Sequence, residues 1–162
     1  MASDRNSATT PMRVLFLCTH NSSRSQMAEG LLRARGGARF AVFSAGTHPR
    51  AVHPLAIQAM RELGIDISAA AGHRAKGMEE FTGQPPMDLV VTVCDDAAEE
   101  CPFFPGARRQ EHWGFPDPSA VTGTEEERLA AFRQVRDALA ARIDQFLRDR
   151  QPGARDAAGV DA

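Results

Sequence analysis

Val14-Leu15-Phe16-Leu17 is an unbroken apolar run that passes directly into Cys18-Thr19-His20-Asn21-Ser22-Ser23-Arg24-Ser25. Met27-Ala28-Glu29-Gly30-Leu31-Leu32 follows, with its apolar residues at helical spacing. A short strand without polar alternation is buried on both faces, which is the situation of a parallel sheet covered by helices. The linking segment must therefore turn from strand to helix within a few residues. Its peptide N–H groups can fold inward around a tetrahedral oxyanion, the following helix adds the positive end of its dipole, and Arg24 offers a planar two-point donor fork. The same positive field favours the thiolate of Cys18. Thr19, His20, Asn21, Ser22, Ser23, Arg24 and Ser25 are thus the expected oxyanion-binding residues, and Cys18 is the expected nucleophile.

Strand and helix patterns continue to alternate along the chain. Ser25 to Arg35 reads as a helix halted by Gly36-Gly37, Phe40 to Gly46 as a strand ending on small residues, and Pro54 to Leu63 as a helix with Gly64 at its C-cap. Ile65 to Ser68 reads as a short extended piece, Met78 to Phe81 as a helical turn, Met87 to Val93 as a buried strand and Arg109 to Trp113 as a last strand. Leu129, Phe132, Val135, Leu139, Ile143, Phe146 and Leu147 recur at three and four, which predicts a long amphipathic helix over Glu125 to Arg150 covering one sheet face. The expected fold is a single α/β domain over residues 12–150, a central four-stranded parallel sheet flanked by helices. A flexible N-terminus at 1–11 and a disordered tail at 151–162 complete the expected organisation.

With 162 residues, 43% of them hydrophobic and 25% charged, the chain has the composition of one soluble domain with a full core, neither disordered nor membrane-embedded. A net charge of −2 argues against a nucleic-acid surface. Residues 1–11 lack the apolar core of a signal peptide and no stretch reaches membrane-span length, so a cytoplasmic monomer with no membrane or nucleic-acid partner is expected. An odd count of three cysteines does not make a disulfide framework, so their value is reactive rather than architectural.

A cysteine six residues ahead of an arginine is common by chance; the strand before it, the helix after it and the Ser and Asn residues between give the pair its meaning. The bland alternative for Cys18 is a small hydrophobe at a strand end, and for Arg24 a surface ion-pair donor. Ser25 can donate to the Cys18 sulfur, and Asn21 can take the left-handed conformation that makes successive N–H groups converge. Ser22 and Ser23 serve equally well as helix-entry residues. Asp117, fixed between Pro116 and Pro118, is a candidate general acid for an oxygen leaving a tetrahedral anion; a simple turn aspartate is the even alternative. His20 and His112 are possible modulators of nearby charge. Cys94 and Cys101 frame a helix-favouring acidic stretch, and on an intact helix they would lie roughly 10 Å apart. A disulfide requires Cα atoms within about 7 Å, so a bond between them would require that stretch to unwind. Taken alone, Cys94 reads better as a strand-end core residue and Cys101 as a loop thiol.

The loop at 18–25, Ser44-Ala45-Gly46, Val91-Thr92-Val93-Cys94, Cys101-Pro102 and His112-Trp113-Gly114-Phe115 with Asp117-Pro118 together resemble the arsenate reductases related to low-molecular-weight protein tyrosine phosphatases. The resemblance runs from about Arg13 to Leu147. It implies a low-molecular-weight phosphatase-like fold, arsenate as substrate, no cofactor, and a thiol relay. In that relay Cys18 attacks arsenate, Asp117 protonates the departing oxygen, Cys94 attacks Cys18 to release arsenite, and Cys101 attacks Cys94. It further implies thioredoxin as electron donor. His20 stands where many relatives have glycine. Some members hold potassium near the loop, and Asn21, Glu29 and Ser44 match part of that site. The insertion at Ala69 to Gly72 leaves no matching aspartate in His73 to Lys76, so no metal is expected.

Three other readings use the same residues. A phosphotyrosine phosphatase would use Cys18, Arg24 and Asp117 with water as the second nucleophile, but the chain contains no tyrosine to wall an aromatic substrate. A reductase coupled to glutathione, with or without glutaredoxin, or to mycothiol would leave Cys94 and Cys101 less important. An anion-binding or arsenic-sensing module would need no acid at all.

Overall fold

In the structure, a computed structural model, residues 10–95 and 102–150 are described. Strand β1 (Met12–Cys18) lies between β2 (Phe40–Gly46) and β3 (Leu89–Thr92), with β4 (Gln110–His112) beyond β3. All three pairings are parallel, and the sheet order is β2-β1-β3-β4. Val14 to Leu17 are completely buried, as an unalternating apolar run in a parallel sheet should be. The register sets Cys18 beside Gly46 and Leu17 beside Thr92, so three carboxyl-terminal strand ends are neighbours. The chain leaves β1 for β2 on one side and returns to β3 on the other. A crevice opens at such a reversal, and ligands of open α/β sheets bind there.

Helix α1 (Arg24–Gly36) follows β1, α2 (Pro54–Arg61) follows β2, and α3 (Glu125–Asp149) closes the domain. One face of the sheet, Val14, Phe16, Val91 and Val93, packs with Met27 and Leu31 of α1, Ala56 and Met60 of α2, and Phe132, Leu139 and Ile143 of α3. Burying a Leu- or Phe-sized side chain contributes about 1.5–3 kcal/mol, so these seams carry much of the stability. The other face, Leu15, Leu17, Ala45 and Val90, is covered by Phe81, Met87 and Phe104 from irregular segments. Thr124 and Glu127 form a reciprocal capping box that starts α3, with Glu127 N–H donating to Thr124 Oγ1 at 3.1 Å and Thr124 N–H to Glu127 Oε1 at 2.8 Å. Among the described residues no helix is long and apolar enough to cross a membrane.

Element boundaries are shorter than the apolar patterns in three places. The strand expected over Met87 to Val93 is paired only from Leu89 to Thr92, because Asp88 uses its carboxylate as well as its amide to hold Arg13 across the sheet edge. The last strand narrows to Gln110–His112, and α2 stops at Arg61, two residues short, where Leu63 and Gly64 turn back on Met60 and Arg61. Ile65 to Ser68 forms no strand; the Asp66 carboxylate accepts the Ser68 N–H and bends the segment. Met78 to Phe81 is the expected turn, of 3₁₀ type.

Candidate active site

Cys18 closes the central strand and Arg24 opens α1, so residues 19–23 make the whole turn from sheet to helix. A strap at 47–53, between β2 and α2, runs alongside that turn and pulls its carbonyls outward. His48 N–H donates to Thr19 O at 2.7 Å, Arg50 N–H to His20 O at 2.9 Å and His53 N–H to Ser22 O at 2.9 Å. Ser22 Oγ returns a bond to Ala51 O at 2.9 Å, and His20 Nδ1 donates to His48 O at 3.0 Å. No cis peptide occurs among the described residues, so each carbonyl turned out turns the next N–H in. The amides of His20, Asn21 and Ser23 therefore face the inside of the turn, which is an anion cradle.

The Cys18 thiol sits at the cradle floor, 2% exposed. Asn21 has φ of +49°, and its N–H points to Cys18 Sγ at 3.2 Å. Asn21 Nδ2 donates to Ser25 Oγ at 2.8 Å, which leaves the Ser25 hydroxyl hydrogen for Cys18 Sγ, 2.9 Å away. The Asn21 amide orientation is pinned because the Lys76 backbone N–H, which can only donate, meets Asn21 Oδ1 at 2.8 Å. Two donors thus converge on the atom that must become negative to attack. Cys18 is a free thiol.

Arg24 is 3% exposed; its Nη1 donates to Phe115 O at 3.0 Å, and its Nη2 lies 3.8 Å from Asp117 Oδ2. Asp117 Oδ1 accepts both the N–H and the hydroxyl of Ser119, which fixes the carboxylate and leaves Oδ2 toward Arg24. Cys18 and Arg24, with Asp117 more than ninety residues further along the chain, line one pocket of ≈ 430 Å³ together with His20, Arg50 and His53. Burial, then the Arg128 charge, hold His53 below its ordinary value, with Asp117 pulling the other way.

Cys94 is fully buried and disulfide-bonded. It follows Val93, whose N–H donates to Leu17 O at 2.9 Å, so the sheet delivers it to the same end as Cys18. Cys101, with the acidic stretch from Asp96, lies outside the described residues. Thr92 Oγ1 and His112 Nδ1 are 2.7 Å apart, which ties His112 to β3.

The sequence reading missed the group beneath the cradle. His73 Nδ1 donates to Gln26 Oε1 at 2.9 Å, and Gln26 Nε2 donates to Asn21 Oδ1 at 3.0 Å and Arg74 O at 2.8 Å. Burial pushes the His73 imidazole below its usual value, mainly against the pull of Glu29. Lys76 Nζ donates to Arg74 O at 2.8 Å and to Ser44 Oγ at 3.5 Å, and lies 3.9 Å from Glu29 Oε1, which accepts the Ser44 hydroxyl. An ammonium therefore occupies the surroundings of Glu29 and Ser44, where the resemblance suggested part of an ion site. Burial lowers the Lys76 pKa, an effect opposed by Glu29. Among the described residues no cluster of three or more His, Cys, Asp or Glu could hold a metal. Buried polar side chains at Gln26 and Glu29, on a helix otherwise facing the core, were the available signal.

The sequence profile of the low molecular weight phosphotyrosine protein phosphatase family matches residues 13–155. The arsenate reductase of Bacillus subtilis (strain 168) is 44% identical over 133 residues, which span 82% of this chain and 93% of that protein. A solved arsenate reductase in its phosphate-binding state superposes with a TM-score of 0.69 at 34% identity, covering 83% of this chain and 95% of that one. A thioredoxin-dependent arsenate reductase of Corynebacterium glutamicum superposes with a TM-score of 0.61 at 26% identity, covering 90% of this chain and 64% of that one.

Proposed function

This chain belongs to the low molecular weight phosphotyrosine protein phosphatase family, and from that membership and its arsenate-reducing relatives we propose a reaction and assign its steps. The enzyme reduces arsenate to arsenite, a detoxifying reaction. The inward amides of His20, Asn21 and Ser23 and the Arg24 fork bind the oxyanion, Cys18 Sγ attacks arsenic, and Asp117 gives a proton to the oxygen that leaves as water. Cys94 thiolate then attacks Cys18 Sγ. The new S–S bond forms as the S–As bond breaks, and its electron pair stays on arsenic, which departs as arsenite. Cys101 attacks Cys94 and frees Cys18. A thioredoxin dithiol reduces the remaining disulfide, consistent with the thioredoxin-dependent relative. A reducing cytoplasm is the compartment that suits this cycle.

The observation that carries the reading is the single pocket holding a doubly hydrogen-bonded Cys18, the Arg24 fork and Asp117. A free Cys18 together with a disulfide-bonded Cys94 further supports it, because the relay leaves Cys18 reduced and Cys94 oxidised after its last transfer. None of the described residues lining the pocket is Phe, Trp or Tyr, which weighs against an aryl phosphate as the preferred substrate.

Single-turnover arsenate reduction in the wild type and in Cys18→Ser, Cys94→Ser and Cys101→Ser tests the relay, with thioredoxin or with glutathione and glutaredoxin as reductant. Cys18→Ser should release no arsenite. Cys94→Ser and Cys101→Ser should lose thioredoxin-supported turnover. Full activity of both would overturn the relay, and aryl phosphate hydrolysis far faster than arsenate reduction would favour the phosphatase.

A further inference from the structure

The strap at 47–53 does more than orient the cradle. Its bonds to Thr19, His20 and Ser22 fix its backbone against the cradle, and the Arg50 N–H is one of the donors, so the Arg50 Cα is held in place. The Arg50 side chain is exposed and lines the pocket that contains Cys18, Arg24 and Asp117. Its guanidinium makes no ion pair among the described residues, whereas Arg33, Arg35, Arg74 and Arg133 each hold a carboxylate. Arg24 is differently placed: one nitrogen is committed to Phe115 O, and the nearby Asp117 carboxylate offsets its charge. The inner site therefore carries an opposed pair, and Arg50 is the uncompensated cation at the mouth.

Resting on the reading that this pocket takes arsenate, we propose that Arg50 is a second guanidinium of the oxyanion site. It draws a tetrahedral dianion into the mouth and holds its outer oxygens while Arg24 and the cradle amides hold the inner ones. A cation that acts on entry and on the bound ground state lowers KM and leaves the chemical step to Cys18, Arg24 and Asp117. The site then selects small, doubly charged oxyanions over bulky monoesters, whose organic group would have to occupy the space beside Arg50.

The test compares wild type, Arg50→Ala, Arg50→Lys and, as an exposed control on α2, Arg61→Ala. It measures arsenate KM and kcat, and inorganic phosphate as a competing ligand. Arg50→Ala should raise the arsenate KM and the phosphate inhibition constant together by about fivefold, with kcat within roughly twofold of wild type. Arg50→Lys should recover most of the affinity, Arg61→Ala should match wild type, and the Arg50→Ala defect should shrink at about 0.5 M salt as the exposed charge is screened. Unchanged KM and phosphate inhibition in Arg50→Ala, or a fall confined to kcat, would overturn the proposal. If the wild type binds phosphate without reducing arsenate, the functional reading falls, and the phosphate affinities of the same variants still decide the role of Arg50.

Discussion

Gly46 shows how closely single residues govern this site. It is the last residue of β2, paired with Cys18, and a Cβ there would stand 2.6 Å from Thr19 O, 2.7 Å from Asn21 N and 3.0 Å from the His20 carbonyl carbon. Those are backbone atoms of the cradle, which has no flexible tip to move aside. Gly46→Ala should displace the inward amides and lower arsenate turnover by about 100-fold, the usual cost of misplacing reactive groups by about 1 Å. The kinetics of a folded Gly46→Ala protein check this, and wild-type kcat/KM would show that the cradle tolerates the methyl. Asn21 is the complementary case, a non-glycine residue at φ +49° whose strain is offset by bonds from its side chain to Ser25, Gln26 and the Lys76 amide. Its left-handed conformation was legible from residue type, as was the Ser25 bond to Cys18. The Lys76 and Gln26 bonds were not, because their partners lie at other places in the chain.

At the level of elements, α3 is the clearest case of local signals deciding structure. Three acids in its first turn favour the positive end of the helix, and Thr124 with Glu127 closes the box. Thr124→Ala should destabilise the protein by about 1 kcal/mol, read as a lower midpoint in urea with unchanged slope. A shift near zero would mean that tertiary packing alone holds that end. The helices and the four paired strands assigned from the pattern all exist, with errors at their ends, whereas Ile65 to Ser68 forms no strand. Arg109 and Trp113 fall outside β4, and Met87 outside β3, although Met87 is still bridged to Ala107; where a ladder ends is set by its partner strands, which an isolated pattern does not record.

The whole molecule is tied together at His53, which caps α2 through Nδ1, bonds the cradle through its N–H and stacks on Phe132 of α3 with ring centroids 4.7 Å apart. Because its pKa is lowered in the fold, the unfolded chain binds a proton below 6.5 that the folded chain refuses. His53 stability is therefore complete above 6.5 and is lost as pH falls toward the lower folded value. Between about pH 7.5 and 5.5 the wild-type Tm should fall more steeply than that of His53→Asn, which keeps a capping side chain without the titration. Equal slopes would remove His53 from the account. The sequence by itself determined the alternation of strands and helices, the cradle with Cys18 and Arg24, and the amphipathic face of α3, because each depends on residues within a few positions of one another. Tertiary structure decided what those parts meet. It brought Asp117 to Arg24, laid Arg50 and His53 along the cradle, and put Lys76 beside Glu29 and Ser44. These partners stand 30 to more than 90 residues apart, and only the parallel sheet, by aligning its strand ends, makes them neighbours.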